Sequence, residues 1–187
     1  NTIGDANVSV GSYNLINNTS GNSNTSVGFT AMQSNTIGRR NTALGAQALR
    51  CNVSGCYNTA LGDYALRNNT IGTDNNAFGY DALRNNTTGV NNTAVGYQSG
   101  NSNTTGERNS YFGYQVCNVG NASDTVGIGW RSLYSNTANY IVAVGRSALE
   151  SNKTGASNVA VGYQALILNK LQKNLNFFHL KIVLIAL

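Results

Sequence analysis

Proline is absent from all 187 residues, and only 10% of them are charged. A chain without proline keeps every backbone amide available, which suits strands whose N–H groups must all find partners above and below. Histidine is nearly missing as well: His179 is the single one, close to the C-terminus. A hydrolase triad needs a base beside its nucleophile, and paired-carboxylate chemistry needs two acids close together. Here Asp63, Asp81, Asp124 and Glu150 are scattered over unrelated positions, so an enzyme is not expected. With three cysteines and one histidine there is no Cys/His metal set, and no metal or other cofactor is expected. Cys51 and Cys56 flank the turn Asn52-Val53-Ser54-Gly55 and either form a bridge in an oxidising compartment or are two unrelated substitutions.

The formal charge of +5 overstates how basic the chain is. Residues 1–169 hold nine Lys or Arg against all seven acids, and Lys170, Lys173 and Lys181 supply the rest. Such a balance gives no reason to expect a nucleic-acid partner. The final apolar run, residues 177–187, is too short and too interrupted to span a bilayer, so this segment is not expected to insert into a membrane.

What the chain does have is one unit written about ten times. The pentad Asn-Thr-Ala-x-Gly recurs with its glycines at Gly11, Gly28, Gly45, Gly62, Gly79, Gly96, Gly113, Gly129, Gly145 and Gly162, a spacing of 17 with two steps of 16. Each unit then closes on an Asn-Thr-x-Gly half, as in Asn69-Thr70-Ile71-Gly72. A period so regular marks a solenoid or fibre. Turn signals six to eleven residues apart leave room for short strands and not for ordinary helices. The expected fold is therefore all-β: a parallel β-solenoid of about ten 17-residue coils over residues 1–169, followed by a non-repeat tail, 170–187. Stacked strands would make it a rod of roughly 45 to 50 Å. In the tail Leu168, Leu171, Leu175, Phe178, Ile182 and Ile185 follow the spacing of a coiled-coil seam, as at the start of a stalk. The chain opens inside a repeat, at Asn1-Thr2-Ile3-Gly4, as a piece of a longer fibre would.

Reading down the columns assigns the core. The residue before each pentad glycine is large and apolar (Val10, Val27, Leu44, Leu61, Phe78, Val95, Phe112, Ile128, Val144, Val161) and is expected to point inward. A second apolar row, Leu15, Met32, Leu49, Leu66, Leu83, Leu133, Leu149 and Leu166, is broken by Gly100 and Cys117. Beside it run Ala31, Ala48, Ala65, Ala82, Ala148 and Ala165, flat enough to pack against another chain. So thin a core favours association. The second-half glycines, with Asn139 standing in for Gly72, Gly89 and Gly155, read as a turn with positive φ. Between about Asn109 and Tyr140 the register loosens, Thr125 and Ile141 replace the first Asn, and distorted coils are expected.

The surface columns form ladders. Phe29, Tyr80, Tyr97, Tyr114, Trp130 and Tyr163 follow the pentad glycine. An exposed row of Tyr80, Tyr97, Tyr114 and Trp130 suits stacking against sugar faces, with Gln98 and Gln115 as hydrogen-bond partners; the other reading is ring-on-ring stacking or burial between chains. Arg50, Arg67 and Arg84 make a ladder for an anionic polysaccharide or simply a solvated face. Asn24, Asn41, Asn58, Asn75, Asn92 and Asn109 can bond one another through their amides. The Thr column Thr25, Thr42, Thr59 and Thr93 raises ice binding as a variant, although Asn76, Ser110 and Val126 interrupt it.

The units Asn92-Thr93-Ala94-Val95-Gly96-Tyr97-Gln98 and Asn158-Val159-Ala160-Val161-Gly162-Tyr163-Gln164-Ala165-Leu166 resemble the repeats of YadA-like heads of trimeric autotransporter adhesins, and of phage and large-virus tail fibres. The unit here is longer than the usual head repeat. The resemblance implies a left-handed parallel β-roll, a homotrimer, an extracellular place on a cell or virion surface, and attachment to a host glycan or matrix protein. Repeats of this kind also serve as passive spacers or scaffolds, and that function stays open beside attachment.

Overall fold

The computed structural model describes residues 3–167 and 183–184. Each pentad carries one short strand: β1 (Val8–Val10), β2 (Thr25–Val27), β3 (Thr42–Leu44), β4 (Thr59–Leu61), β5 (Asn76–Phe78), β6 (Thr93–Val95), β7 (Ser110–Phe112), β8 (Thr125–Ile128), β9 (Ile141–Val144) and β10 (Val159–Val161). They pair in chain order, all parallel, in one sheet, and β11 (Val183–Leu184) adds beyond β10. Register is set unit by unit, with Thr42, Ala43 and Leu44 opposite Thr59, Ala60 and Leu61. Outside the strands the coils still bond to one another: Leu49 N–H donates to Ala65 O at 3.0 Å, Cys51 N–H to Arg67 O at 2.9 Å and Tyr57 N–H to Arg39 O at 3.0 Å. This is a parallel β-solenoid with one strand per coil, and no helix occurs among the described residues. The coiled-coil seam read in the tail lies outside the described residues.

The core corrects the column assignment. The row before the pentad glycine faces outward: Val161 is 52% exposed and Leu44 46%, while Leu61 and Val95 are half-buried. The strand residue one position earlier points in, and Ala43, Ala60, Ala77, Ala94, Ala143 and Ala160 are fully buried. Side chains alternate across a strand, so neighbours such as Ala43 and Leu44 cannot both face the interior. Opposite them lies the Leu row, where Met32, Leu49, Leu66, Leu83, Leu133 and Leu149 are fully buried. With that row inside, the coil has space for only small residues on the strand. The row of Ala31, Ala48, Ala65, Ala82, Ala148 and Ala165 is likewise buried within the chain and offers no surface to a partner.

Two buried amide ladders complete the interior. Along Asn7, Asn24, Asn41, Asn58, Asn75, Asn92 and Asn109, each Nδ2 donates to the preceding Oδ1 at 2.9 to 3.2 Å. The same Oδ1 also accepts the next residue's backbone N–H, as from Asn58 N to Asn41 Oδ1 at 2.9 Å. Asn18, Asn35, Asn52, Asn69, Asn86 and Asn103 make the second ladder at 2.8 to 3.1 Å. Each of these also donates to the carbonyl of the second-half glycine, as Asn69 does to Gly72 O at 3.0 Å. Buried amides are tolerable because donors and acceptors are matched coil by coil. The ladders explain the second-half glycines, which are not in the left-handed region, nor is Asn139. A Cβ on Gly72 would overlap Asn69 Oδ1 and the backbone of Gly89. Close approach selects glycine there, and the left-handed turn falls further on, at Asp74 and Tyr140.

Between residues 109 and 140 the strands stay in register, and the expected distortion is confined to the turns, where the second Asn ladder breaks and Asn103 Oδ1 and Asn118 Oδ1 are buried without a hydrogen bond. Thr125 continues the first ladder, its Oγ1 donating to Asn109 Oδ1 at 2.7 Å. The missing residue is absorbed in the turn, where Asn121 Oδ1 accepts from Thr104, Thr105 and Gly106 N–H at 2.9 to 3.1 Å. Tyr111 enters the inward Ala column and fills the space that Gly100 leaves in the Leu row. A Cβ on Gly100 would stand 2.9 Å from Tyr111 Cδ2 and from Leu83 Cδ2. The Tyr111 hydroxyl lies 2.9 Å from Thr125 Oγ1, whose own proton goes to Asn109 Oδ1, so the phenol donates, and burial raises the pKa of both Tyr111 and the neighbouring Cys117, the latter to about 11. Tyr111→Ala is expected to cost about 3 to 5 kcal/mol by opening a cavity. Adding Gly100→Leu should restore much of it, since leucines of that row hold the same left-handed backbone as Gly100. Urea denaturation of the single and double variants checks this.

Candidate functional site

The corner after each strand builds the candidate site. The pentad glycines take φ of 119 to 137°, and a Cβ on Gly79 or Gly96 would overlap the glycine backbone of the next coil. With the backbone pinned so closely, the following residues leave the corner in register. Tyr80, Tyr97, Tyr114 and Trp130, expected as one stripe, do come together. Their ring centroids are 5.5, 5.2 and 6.3 Å apart at interplanar angles of 9, 9 and 6°. Tyr64 caps the row edge-on against Tyr80 at 5.6 Å. All four are exposed.

Stacking of this kind decides what the ladder can present. The faces of Tyr97 and Tyr114 are covered on both sides by their neighbours, so a sugar cannot lie flat on them. Ring edges remain open, and among the described residues no hydrogen bond engages the hydroxyls of Tyr80, Tyr97 or Tyr114. The Asp81 carboxylate, together with partial burial, raises the Tyr80 pKa, which keeps that phenol a donor. Beside the rings Gln115 Nε2 donates to Gln98 Oε1 at 2.9 Å, so the two glutamines form a polar rail along the stack. The outward row Phe78, Val95, Phe112 and Ile128 lies two residues before the rings, and Phe78, Phe112 and Ile128 are exposed.

Comparison with family models, curated proteins and solved structures returns no match. The site must therefore be read from its own geometry.

The other columns are less uniform. Arg50 Nε donates to Gln33 Oε1 at 3.0 Å and Arg67 Nε to Gln47 Oε1 at 2.7 Å, whereas Arg84 pairs with Asp81 at 3.4 Å and sits over Tyr64. The three arginines thus do not act as one repeated group. Thr25 and Thr42 are exposed, Thr59 and Thr93 half-buried, and all share the outward strand face with the large apolar row. Cys51 and Cys56 are free thiols. Among the described residues there is no group of His, Cys, Asp and Glu able to hold a metal, and no helix long and apolar enough to cross a membrane.

Two features escaped the sequence reading. The first is the phase of each strand: with the Asn of the pentad buried, alternation places Ala inside and Leu outside. The second is Arg146, which occupies the aromatic column between Trp130 and Tyr163 and was visible only as a gap in the stripe.

Proposed function

We propose that this chain is a rod-like segment of an attachment fibre, exposed on a cell or virion surface, that assembles through its outward strand face and meets a host glycan along the aromatic ladder. It performs no catalysis in this reading and needs no cofactor. The observation that carries it is the apolar flank in which the outward row and the aromatic ladder run side by side over the same coils. A lone soluble chain rarely leaves so continuous an apolar surface open. Association of three copies, as the YadA-like resemblance implies, would cover the outward row and leave the corner rings at the margin of the assembly. Contacts repeated on every coil strengthen one another through effective concentration, so each can be weak.

The spacer reading rests on a different observation: the rings cover one another's faces, which stiffens the rod whether or not a ligand binds. Ice binding has less support, since the Thr column shares its face with bulky Phe78 and Phe112. Light scattering of the full chain is expected to return three times the mass of one chain, and a stable monomer at micromolar concentration would remove the assembly. A Tyr97→Ala, Tyr114→Ala double variant of unchanged mass and circular dichroism should lose binding on arrays of glycans and matrix proteins. Undiminished binding would assign the rings to packing, and no binding by the parent chain would favour the spacer.

A further inference from the structure

The column that follows the pentad glycine reads Tyr80, Tyr97, Tyr114, Trp130, Arg146, Tyr163. Arg146 takes the place of a ring: its guanidinium carbon lies 4.7 Å from the Trp130 centroid and 5.9 Å from that of Tyr163. A guanidinium is planar, with its N–H donors in that plane. Aromatic groups over its two sides leave those donors directed around its edge. Arg146 is exposed, and among the described residues it has no carboxylate partner and no side-chain hydrogen bond. By contrast Arg84, Arg108 and Arg131 each pair with an acid, and Glu150, on the same coil as Arg146, is engaged by Arg131 at 2.8 Å.

The stack therefore offers a row of in-plane polar edges, one per coil: three phenol hydroxyls, an indole N–H and an unneutralised guanidinium. We infer that the ladder takes a linear acidic polysaccharide lying along the rod, with a carboxylate or sulfate held by Arg146 and sugar hydroxyls meeting the phenols and the Gln98–Gln115 rail. This rests on the attachment reading and names its ligand class. Rung spacings of 5.2 to 6.3 Å are comparable with the advance per residue of an extended pyranose chain, so successive sugars meet successive coils. Planar N–H donors also suit an acid group, which can accept two of them at once. Single-stranded nucleic acid fits less well, because its bases need open ring faces and these are covered.

The test is calorimetric titration of the full chain with polygalacturonate, its neutral methyl ester, dextran sulfate, neutral dextran and an oligothymidylate. Polygalacturonate or dextran sulfate should bind at least about tenfold more tightly than its neutral counterpart, and the difference between the two identifies carboxylate or sulfate as the preferred group. Arg146→Gln should remove that preference. Arg146→Tyr restores an aromatic rung like its neighbours, keeps the stack if Arg146→Gln disturbs folding, and should show the same loss. Equal affinity for acidic and neutral glycans, or an acidic preference that survives in Arg146→Tyr, overturns the acidic ligand. In either case neutral-glycan binding that disappears in the Tyr97→Ala, Tyr114→Ala variant would leave the attachment reading standing. Failure to bind any glycan overturns both, and tighter binding of the oligothymidylate overturns the glycan in favour of nucleic acid.

Discussion

Leu66→Asp is expected to unfold the coils around it, whereas Leu61→Asp, five residues earlier, should leave the solenoid intact and break only the proposed association. Leu66 is fully buried in the inward row, and an unpaired carboxylate there costs several kcal/mol or must take up a proton. Each coil rests on its neighbours alone, so a coil lost in the middle of the rod separates the two halves. Leu61 is half-buried on the outward face, where a carboxylate can reach water in the isolated chain. Between copies in the proposed assembly the same charge would be trapped, and that assembly should fall to single chains. Circular dichroism during urea denaturation, with light scattering alongside, separates the outcomes. Unfolding of monomeric Leu61→Asp would show that its row faces inward after all.

Asn58→Ala should cost about 2 to 6 kcal/mol, because removing the amide leaves two buried N–H groups of Asn75, one on the backbone and one on Nδ2, without an acceptor at about 1 to 3 kcal/mol each. Asn58 Nδ2 donates to Gly72 O at 2.8 Å and to Asn41 Oδ1 at 3.1 Å, and its Oδ1 accepts from both the backbone N–H and the Nδ2 of Asn75 at 3.1 Å. No water can replace these contacts without opening the coil, since Asn41, Asn58 and Asn75 are all buried. Asn58→Asp should be worse, as a carboxylate cannot donate to Gly72 O and its charge has no partner. The exposed Asn17 provides the contrast: Asn17→Ala is expected to stay within about 0.5 kcal/mol. A shift in urea midpoint for Asn58→Ala no larger than that of Asn17→Ala would show that the ladder contributes little.

Part of the site was legible before the fold was known. A 17-residue period places Tyr80, Tyr97 and Tyr114 on consecutive coils, and parallel in-register stacking then brings them into one column. Ring orientation was not legible. A row of aromatic residues is equally compatible with faces turned to solvent and faces turned to one another, and strand-to-strand spacing close to the ring-stacking distance selects the second. Arg146 was missed for a related reason, since composition separates arginine from the aromatics while a flat guanidinium substitutes for a ring once the column is built.

By itself the sequence determined the coil length, the strand in each pentad, the burial of the row from Leu15 to Leu149 and the stacking of the Asn columns. These follow from spacing and turn chemistry, which act along a few neighbouring residues and are then copied from coil to coil. Only the tertiary structure decided which side of each strand faces in. Hydrophobicity favours Leu44 and Leu61 inside over Ala43 and Ala60, and period-two alternation permits either phase. Once the inward row of large residues occupies the interior, a coil this narrow accommodates only a small residue opposite it. Packing volume, a property of the closed coil, therefore outweighs the larger apolar side chain and turns that side chain outward.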